Sequence, residues 1–381
     1  MNKLFCFLPS CHITITEKEI LVYDTFTFNK IYLKDVTFSI SERQMLRDRG
    51  CLLYTPQNED FIRSCVQKQL GYYIDYNGVL PFSPKKGLSF LSSLQKEKKA
   101  LGHNLASYTN LMLKSLTVLA NNSRNAGLDA SSYRQLEYPE QNDNFSDIDL
   151  LLRTIEPFIF LEEIIISGEL QETQLIQVLE SVEKRGILVT YRIFYDVCLL
   201  DSIKKLLDAH EHLFVELIID SNASIEFDRL KNNRLYYKRI VCDLSDLQST
   251  PPISNIRHHP LFNKHTDHSE LVSQMVVTPD EILNDRKSLR DCQIADYVNS
   301  EQFGHLVLDS KGDILCLNQY VGSIQGSSLA AILNKWLDHN TCIWYYTRRQ
   351  KESCKECALQ ALCPPISIYE QMGFITCPCK G

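Results

Sequence analysis

No stretch of this chain is long and apolar enough to cross a bilayer. The most apolar interior run, Pro157 to Ser167, is broken by Glu162 and Glu163 and falls short of the roughly 20 residues a membrane helix needs. The N-terminal run from Leu4 to Leu8 is shorter than the roughly 7–15 apolar residues of a secretory signal, although Leu8-Pro-Ser-Cys11 faintly resembles a lipoprotein cleavage site. No Lys/Arg-rich run stands on any candidate helix and the net charge is −7, which argues against nucleic acid as a partner. Gly-x-Ser-x-Gly, a phosphate loop and a dinucleotide fingerprint are all missing, so the reactions those motifs support have no sequence basis here. Internal repeats and low-complexity segments are absent as well.

What is present is an ordinary globular composition, 44% hydrophobic and 23% charged over 381 residues, too long for one core and suited to two or three domains. The 14 cysteines lack a secretory context and their one tight spacing is metal-like, so the expectation is a reducing cytoplasm with no membrane association. That spacing is Cys354-Lys-Glu-Cys357 followed by Cys363-Pro-Pro, with Cys377-Pro-Cys379 beyond. Two residues between the first pair let both sulfurs face one ion from a single turn; a third cysteine and one from the tail would close a four-thiolate shell. Zinc and a 4Fe-4S cluster both leave such a site anionic, and Arg348, Arg349, Lys351, Lys355 and Lys380 surround it. The Cys-Pro steps at Cys363 and Cys377 favour iron-sulfur, being the ending of the bacterial ferredoxin run. Cys51, Cys65, Cys198 and Cys242 stand alone in apolar surroundings and read as small buried hydrophobes.

Three segments emerge from periodicity. Residues 1–76 start with strands at His12–Thr16, Ile20–Tyr23 and Lys30–Leu33. A helix with a capping box over Ser41–Gln44 and a stop at Gly50 follows, then a second helix from Glu59 to Leu70 ended by Gly71. This is a small winged-helix-like module. A polar stretch over Asn77–Lys86 marks the boundary. Residues 88–300 alternate strand and helix. Strands are expected at Lys114–Leu119, Leu161–Ser167, Ile187–Phe194, Leu213–Asp220 and Lys238–Asp243. Helices are expected after Ser146, over Thr173–Arg185 and Leu199–His210, and from Thr278-Pro-Asp-Glu281. Such alternation predicts a parallel sheet closed or partly closed into a barrel. Residues 301–381 begin with a hairpin, His305–Asp309 and Asp313–Cys316 around Gly312, continue with a helix over Ser327–Trp336 and end in the cysteine run. The histidines His258, His259, His265 and His268 read as a solvated loop, and the adjacent Glu162 and Glu163 point to opposite faces of a strand.

This order of parts resembles radical SAM enzymes with a C-terminal SPASM extension. More closely, Trp344-Tyr-Tyr-Thr-Arg348, Leu362-Cys-Pro-Pro-Ile-Ser-Ile-Tyr-Glu370, Leu8-Pro-Ser-Cys-His-Ile13 and Leu21-Val-Tyr-Asp-Thr25 resemble the pseudo-radical-SAM proteins of ribosomal-peptide (RiPP) maturation. The resemblance implies an α/β fold. Its parts are a partial (β/α) TIM-like barrel of radical SAM type, a small N-terminal α+β module and a C-terminal Cys-rich, SPASM-like extension. Catalytic members carry Cys-x3-Cys-x2-Cys after the first barrel strand, where this chain has Ala120-Asn-Asn-Ser-Arg-Asn-Ala126. S-adenosylmethionine is therefore not expected. The family's Gly-Gly-Glu-Pro is reduced to Ser167-Gly168-Glu169-Leu170. Of the extension's two auxiliary clusters, the first is left with only Cys292 and Cys316. The second keeps Cys354, Cys357 and Cys363 with Cys377 or Cys379, of which Cys377 is preferred. The implied protein is a non-catalytic partner that binds a precursor peptide or a catalytic radical SAM maturase and carries one four-cysteine metal site, a 4Fe-4S cluster or alternatively zinc. The alternative role is an electron-transfer subunit whose cluster serves such a maturase.

Overall fold

The computed structural model describes residues 3–78, 112–120, 147–219, 232–241, 245, 256–260, 269–275, 277–317, 319–337, 342–371, 373, 375 and 377. The chain forms two compact units, each assembled from separated segments: Met1–Gly102, Val276–Glu301 and Trp344–Gly381 in the first, His103–Met275 and Gln302–Ile343 in the second. The three consecutive segments expected from sequence are thus redistributed. The N-terminal module and the cysteine run belong to one unit.

Unit 1 contains two three-stranded antiparallel sheets. One has the order β5-β1-β6, with β1 Lys3–Phe7, β5 Cys51–Leu53 and β6 Gly71–Asp75; the other is β2-β3-β4, with β2 Cys11–Ile15, β3 Glu19–Asp24 and β4 Lys30–Lys34. The apolar N-terminal run is the central strand of the first sheet. Helix α1, Ile40–Arg49, starts with a capping box at Ser39 and Glu42, two residues before the expected one, and ends at Gly50 in the left-handed region at φ 60°. The box moves because the Glu42 carboxylate accepts from the Ser39 N–H while the Ser39 hydroxyl accepts from the Glu42 N–H, whereas Ser41 already lies inside the first turn.

Helix α2, Glu59–Gln67, stops before the expected Leu70. Gly71 does not end it but opens β6. A Cβ there would sit 2.3 Å from the Cys6 carbonyl oxygen and 2.6 Å from the Phe5 ring, so only glycine lets β6 lie against β1.

Two cores share the second sheet. Cys11, Ile13 and Ile15 with Ile20, Val22 and Ile31 pack against Phe5, Phe7, Leu46, Phe61 and Ile62 on one face. Leu21 and Tyr23 of the opposite face join Ile282, Cys292, Cys357, Leu359 and Leu362, contributed by later segments. Strand β3 is therefore covered on both sides, and Ile20 through Tyr23 are fully buried.

Unit 2 is built on a nine-stranded sheet of order β12-β11-β10-β9-β8-β7-β13-β14-β15. Strands β7 Ser115–Leu119, β8 Glu163–Ser167, β9 Leu188–Phe194, β10 Leu213–Ile219, β11 Leu235–Val241 and β12 Ile256–Pro260 run parallel. Between them lie α3 Ile148–Ile155, α4 Glu172–Glu183 and α5 Leu200–Ala209, and α6 Ser269–Met275 follows β12. β13 His305–Leu308 pairs parallel with β7 and turns at Gly312 into β14 Asp313–Cys316, which pairs with β15 Gln319–Ser323.

The sheet is open among the described residues, so the closed form of the expected barrel is not present: β12 and β15 are its ends. His258 and His259 lie on β12 rather than in a loop, since backbone pairing with β11 overrides their polarity. His265, His268 and most of the Ala120–Ala126 segment lie outside the described residues, as do Ser146 and most of the Asn77–Lys86 stretch. Asp147 caps α3, accepting from Leu150 N at 2.8 Å. Among the described residues no helix is long and apolar enough to cross a membrane.

The remaining helices are α7 Pro279–Asn284 and α8 Leu289–Tyr297 of unit 1, α9 Leu329–Leu337 of unit 2, and α10 Ile368–Gln371 of unit 1. Gly71→Ala should destabilise unit 1 by about 1–3 kcal/mol, the cost of overpacking against immobile backbone. A lowered urea midpoint with unchanged slope would show it, and a neutral Gly71→Ala would contradict the close approach of β6 to β1.

Candidate functional site

Four buried thiols lie in the C-terminal part of unit 1: Cys354, Cys357, Cys363 and Cys377 are 3%, 7%, 6% and 4% exposed. The local chain positions the first three. The Cys354 N–H donates to Lys351 O and the Cys357 N–H to Cys354 O, both at 2.9 Å, closing two successive turns. Cys357 precedes the 3-10 helix Ala358–Ala361. The first N–H of that helix, from Ala358, is satisfied by Glu19 Oε2 at 3.0 Å, an acidic group at a helix start. Cys363 follows with its N–H on Leu359 O at 2.9 Å. Cys357 and Cys363 share their apolar cluster with Cys292 of α8, whose thiol is pushed up to about 12, by burial first and by the charges of Asp296 and Asp291 second.

A buried cation stands over this segment. Arg348 is 3% exposed. Its Nη1 donates to Glu370 Oε1 at 3.0 Å and to Cys354 Sγ at 3.5 Å. Nη2 donates to Glu370 Oε2 at 2.9 Å and to Pro365 O at 3.2 Å, while Nε donates to Pro364 O. Lys351 Nζ adds a 2.6 Å bond to Glu370 Oε1. Burial alone would lower the Arg348 pKa; the hydrogen bonds and charges of Glu370, Cys363 and Cys354 outweigh it and hold the guanidinium above the ordinary arginine range. Burial would likewise raise the Glu370 pKa, but bonds from Arg348 and Lys351 keep it below the usual carboxylate range.

The donor chemistry and charge of this segment suit a soft metal, but the thiols are not gathered into one shell. Among the described residues no group of three or more His, Cys, Asp and Glu side chains is close enough to hold an ion. Cys379 lies outside the described residues. Of the cysteines read as isolated, Cys51 and Cys65 are buried, Cys198 is exposed and Cys242 is not described. In unit 2, Ser167-Gly168-Glu169-Leu170 leaves the end of β8, with Gly168 at φ 102° and the Leu170 N–H 3.4 Å from the Tyr191 hydroxyl. Glu163 of the Glu162–Glu163 pair accepts from Thr190 Oγ1 at 2.5 Å, a cross-strand structural bond.

Unit 1 also holds a cavity of about 720 Å³ that the sequence reading missed. It runs along β2 from Pro9 to Glu17. Its other walls are Ile40, Arg43, Gln44 and Arg47 of α1, Leu289, Gln293, Asp296 and Tyr297 of α8, and Arg349, Lys355, Glu356 and Gln360.

β2 is an edge strand of its sheet. The Thr16 N–H donates to Glu19 O and the Thr25 N–H to Ser10 O. Even-numbered residues therefore bond to β3, and the backbone groups of Cys11, Ile13 and Ile15 point to the open side. Arg47 Nη2 already donates to Ile15 O there at 2.9 Å. His12, Thr14 and Thr16 are 5–6% exposed and polar, with His12 Nε2 3.1 Å from Thr14 Oγ1. Gln360, 8% exposed, has a buried Oε1 with no hydrogen-bond partner. It also lines a second cavity of about 200 Å³ beside Cys363 and Arg348. The signal that could have found this site is the alternation His12-x-Thr14-x-Thr16, a polar strand face that the fold nonetheless buries.

No protein-family model matches the chain, and no curated protein matches it. Among solved structures, the chain is similar to Streptococcus suis SuiB bound to precursor peptide SuiA: 11% identity over 99% of this chain and 98% of that one, with a TM-score of 0.43. It is also similar to Streptococcus suis SuiB, at 12% identity over 98% and 97% of the two chains and a TM-score of 0.41.

Arg348→Met leaves Glu370 buried without its main partner and should cost about 3–5 kcal/mol, read as a lower denaturant midpoint. The Glu370 contribution is present above the unfolded glutamate value near ~4.3. It is lost as pH falls through the lower folded value. Glu370→Gln should therefore flatten the acid limb of a stability–pH profile below about pH 5; an unchanged limb would exclude the ion pair as its source.

Proposed function

We propose that this chain is a non-catalytic binding partner in ribosomal-peptide maturation, receiving a precursor peptide, a radical SAM maturase or both, and carrying one four-cysteine metal site. The observation that carries the peptide part is the open edge of β2 facing a cavity of about 720 Å³. A strand edge offers a row of main-chain donors and acceptors at fixed spacing, which an extended peptide matches by adding as a further strand. Ile13 presents its N–H and C=O outward on that edge. Thr14, Thr16 and Gln360 put polar side chains in the cavity's lining. Arg43, Arg47, Lys355, Glu17 and Glu356 all line the same cavity, so both signs of charge are available to set the register of a peptide.

The metal part rests on Cys354, Cys357, Cys363 and Cys377, all buried, and on a buried arginine that donates to Cys354 and is held charged in part by Cys363. Bound to them, a 4Fe-4S cluster would supply one-electron chemistry and zinc a structural clasp. A substrate-activating role for S-adenosylmethionine is not part of this reading, because the catalytic cysteine triplet is missing from the sequence. Electron transfer to a maturase is the second reading, favoured if the centre holds iron.

Two experiments test these parts separately. Co-purification with a radical SAM maturase and its precursor should give a complex at micromolar concentration. N-methylating alternate residues of the bound peptide segment should weaken it in one register and spare it in the other. No association at micromolar concentrations sinks the partner reading, and equal effects of both registers sink strand addition. Anaerobic purification with iron, sulfide and zinc analysis should show about four irons per cluster, or one zinc, in the wild type and neither in Cys357→Ala. Retention of partner binding by Cys357→Ala, with loss of the maturase's activity, would favour the electron-transfer reading.

A further inference from the structure

Cys6 and Cys51 stand directly opposite each other on the antiparallel strands β1 and β5. The hydrogen bonds around them fix what kind of pair they form. The Phe7 N–H donates to Gly50 O and the Tyr54 N–H donates to Lys3 O, each at 2.9 Å. Lys3, Phe5 and Phe7 therefore exchange bonds with β5, and the pairs between them, Leu4 with Leu53 and Cys6 with Cys51, are of the non-hydrogen-bonded kind. In such a pair the Cα atoms approach to about 4.5 Å and the side chains lean together on one face. That spacing falls at the short end of the roughly 4.4–6.8 Å that a disulfide bridges.

The two side chains share one apolar cluster with Leu4, packed against Met45, Leu53, Ile74 and Tyr76. Both sulfurs are present as thiols. Burial pushes the Cys51 thiol up to about 11, with the charge of Cys6 the next cause. Burial also raises Cys6.

We propose that Cys6 and Cys51 are a site of reversible oxidative modification, closing to a cross-strand disulfide by exchange with a low-molecular-weight disulfide. Cys6, 6% exposed against 0% for Cys51, attacks first. Its thiolate forms a mixed disulfide and expels one small thiolate. The Cys51 thiolate then attacks the Cys6 sulfur, the Cys6–Cys51 bond forms and the second small thiolate leaves. Two protein thiols give up two electrons and two protons, and the small disulfide is reduced to two thiols. The closed bond ties the middle strand of the β5-β1-β6 sheet to the residue that follows Gly50, where α1 ends.

Cys11 and Cys65 make an internal control. They share a core without an opposing strand register, and Cys11 Sγ donates to Leu70 O at 3.3 Å.

The test uses the full-length chain in its folded state. It is incubated with oxidised glutathione, alkylated while denatured, and mapped by mass spectrometry. The expected product is a peptide joining Cys6 to Cys51, removed by dithiothreitol. Its rate of formation should rise with pH from 7 to 9, because burial holds both thiols above the ordinary thiol range and the thiolate fraction still grows there. Cys51→Val should stop Cys6 at the mixed disulfide with glutathione, which dithiothreitol removes; the wild-type map decides the matter even if that variant fails to fold. Full alkylation of Cys6 after exposed Cys198 has reacted would overturn the proposal. So would Cys6 joined to Cys11 or Cys65 as often as to Cys51.

Discussion

Unit 1 depends on the burial of β3 on both of its faces. Antiparallel sheets commonly leave one face to solvent, yet Ile20, Leu21, Val22 and Tyr23 are all fully buried. One face completes the N-terminal core and the other receives the 3-10 helix Ala358–Ala361 with α7 and α8. Each buried apolar side chain contributes on the order of 1.5–3 kcal/mol. The covering of Leu21 and Tyr23 therefore rests on chain segments more than 250 residues away. Polar bonds direct this packing. The Tyr23 hydroxyl donates to Lys287 O at 3.3 Å and accepts from Lys287 N at 3.0 Å, and Glu19 meets the start of the 3-10 helix.

The segment that covers β3 has little regular structure to hold itself. Between Thr347 and Gln371 it consists of turns, one 3-10 helix and the four-residue α10. Arg348 and Glu370 substitute for a backbone ladder: one guanidinium satisfies two proline carbonyls and a carboxylate, and the carboxylate is bound in turn by Lys351. The two prolines suit this arrangement, because they offer carbonyl acceptors without N–H groups that would need partners. A buried charge pair of this kind adds little net stability over apolar packing but fixes one arrangement of its neighbours. Those neighbours are Cys354 and Cys363.

The parts of the fold governed by local chemistry were legible. Apolar runs placed β2, β3, β4 and β7 through β11 to within a few residues, and Gly50 and Gly312 marked chain reversals where the backbone is left-handed. The helix expected from Thr278-Pro-Asp-Glu281 starts there, with proline in its first turn and a capping box between Thr278 and Glu281. What sequence did not disclose depends on distant partners. Gly71 reads as a helix stop, yet its reason is the Cys6 carbonyl 2.3 Å from its missing Cβ. β1 has the composition of a truncated signal segment and becomes a strand because β5 and β6 flank it. Cys6 and Cys51 are 45 positions apart in sequence and meet only through register. The candidate metal ligands stood out by spacing, whereas the cavity beside β2 is built from four separated stretches and has no local signature beyond His12, Thr14 and Thr16.

That construction bears on how the chain is made. A ribosome releases residues 1–78 long before residues 344–377, so the face of β3 carrying Leu21 and Tyr23 must wait for its cover while most of the polypeptide is still being synthesised. During that interval the N-terminal module presents an apolar strand face and an open strand edge together, the combination most prone to pairing with other chains. Completion of unit 1 is a late, long-range closure, slow by its loop entropy and contact order. Any event that shortens the C-terminus leaves the earliest-formed sheet of the protein as its stickiest surface.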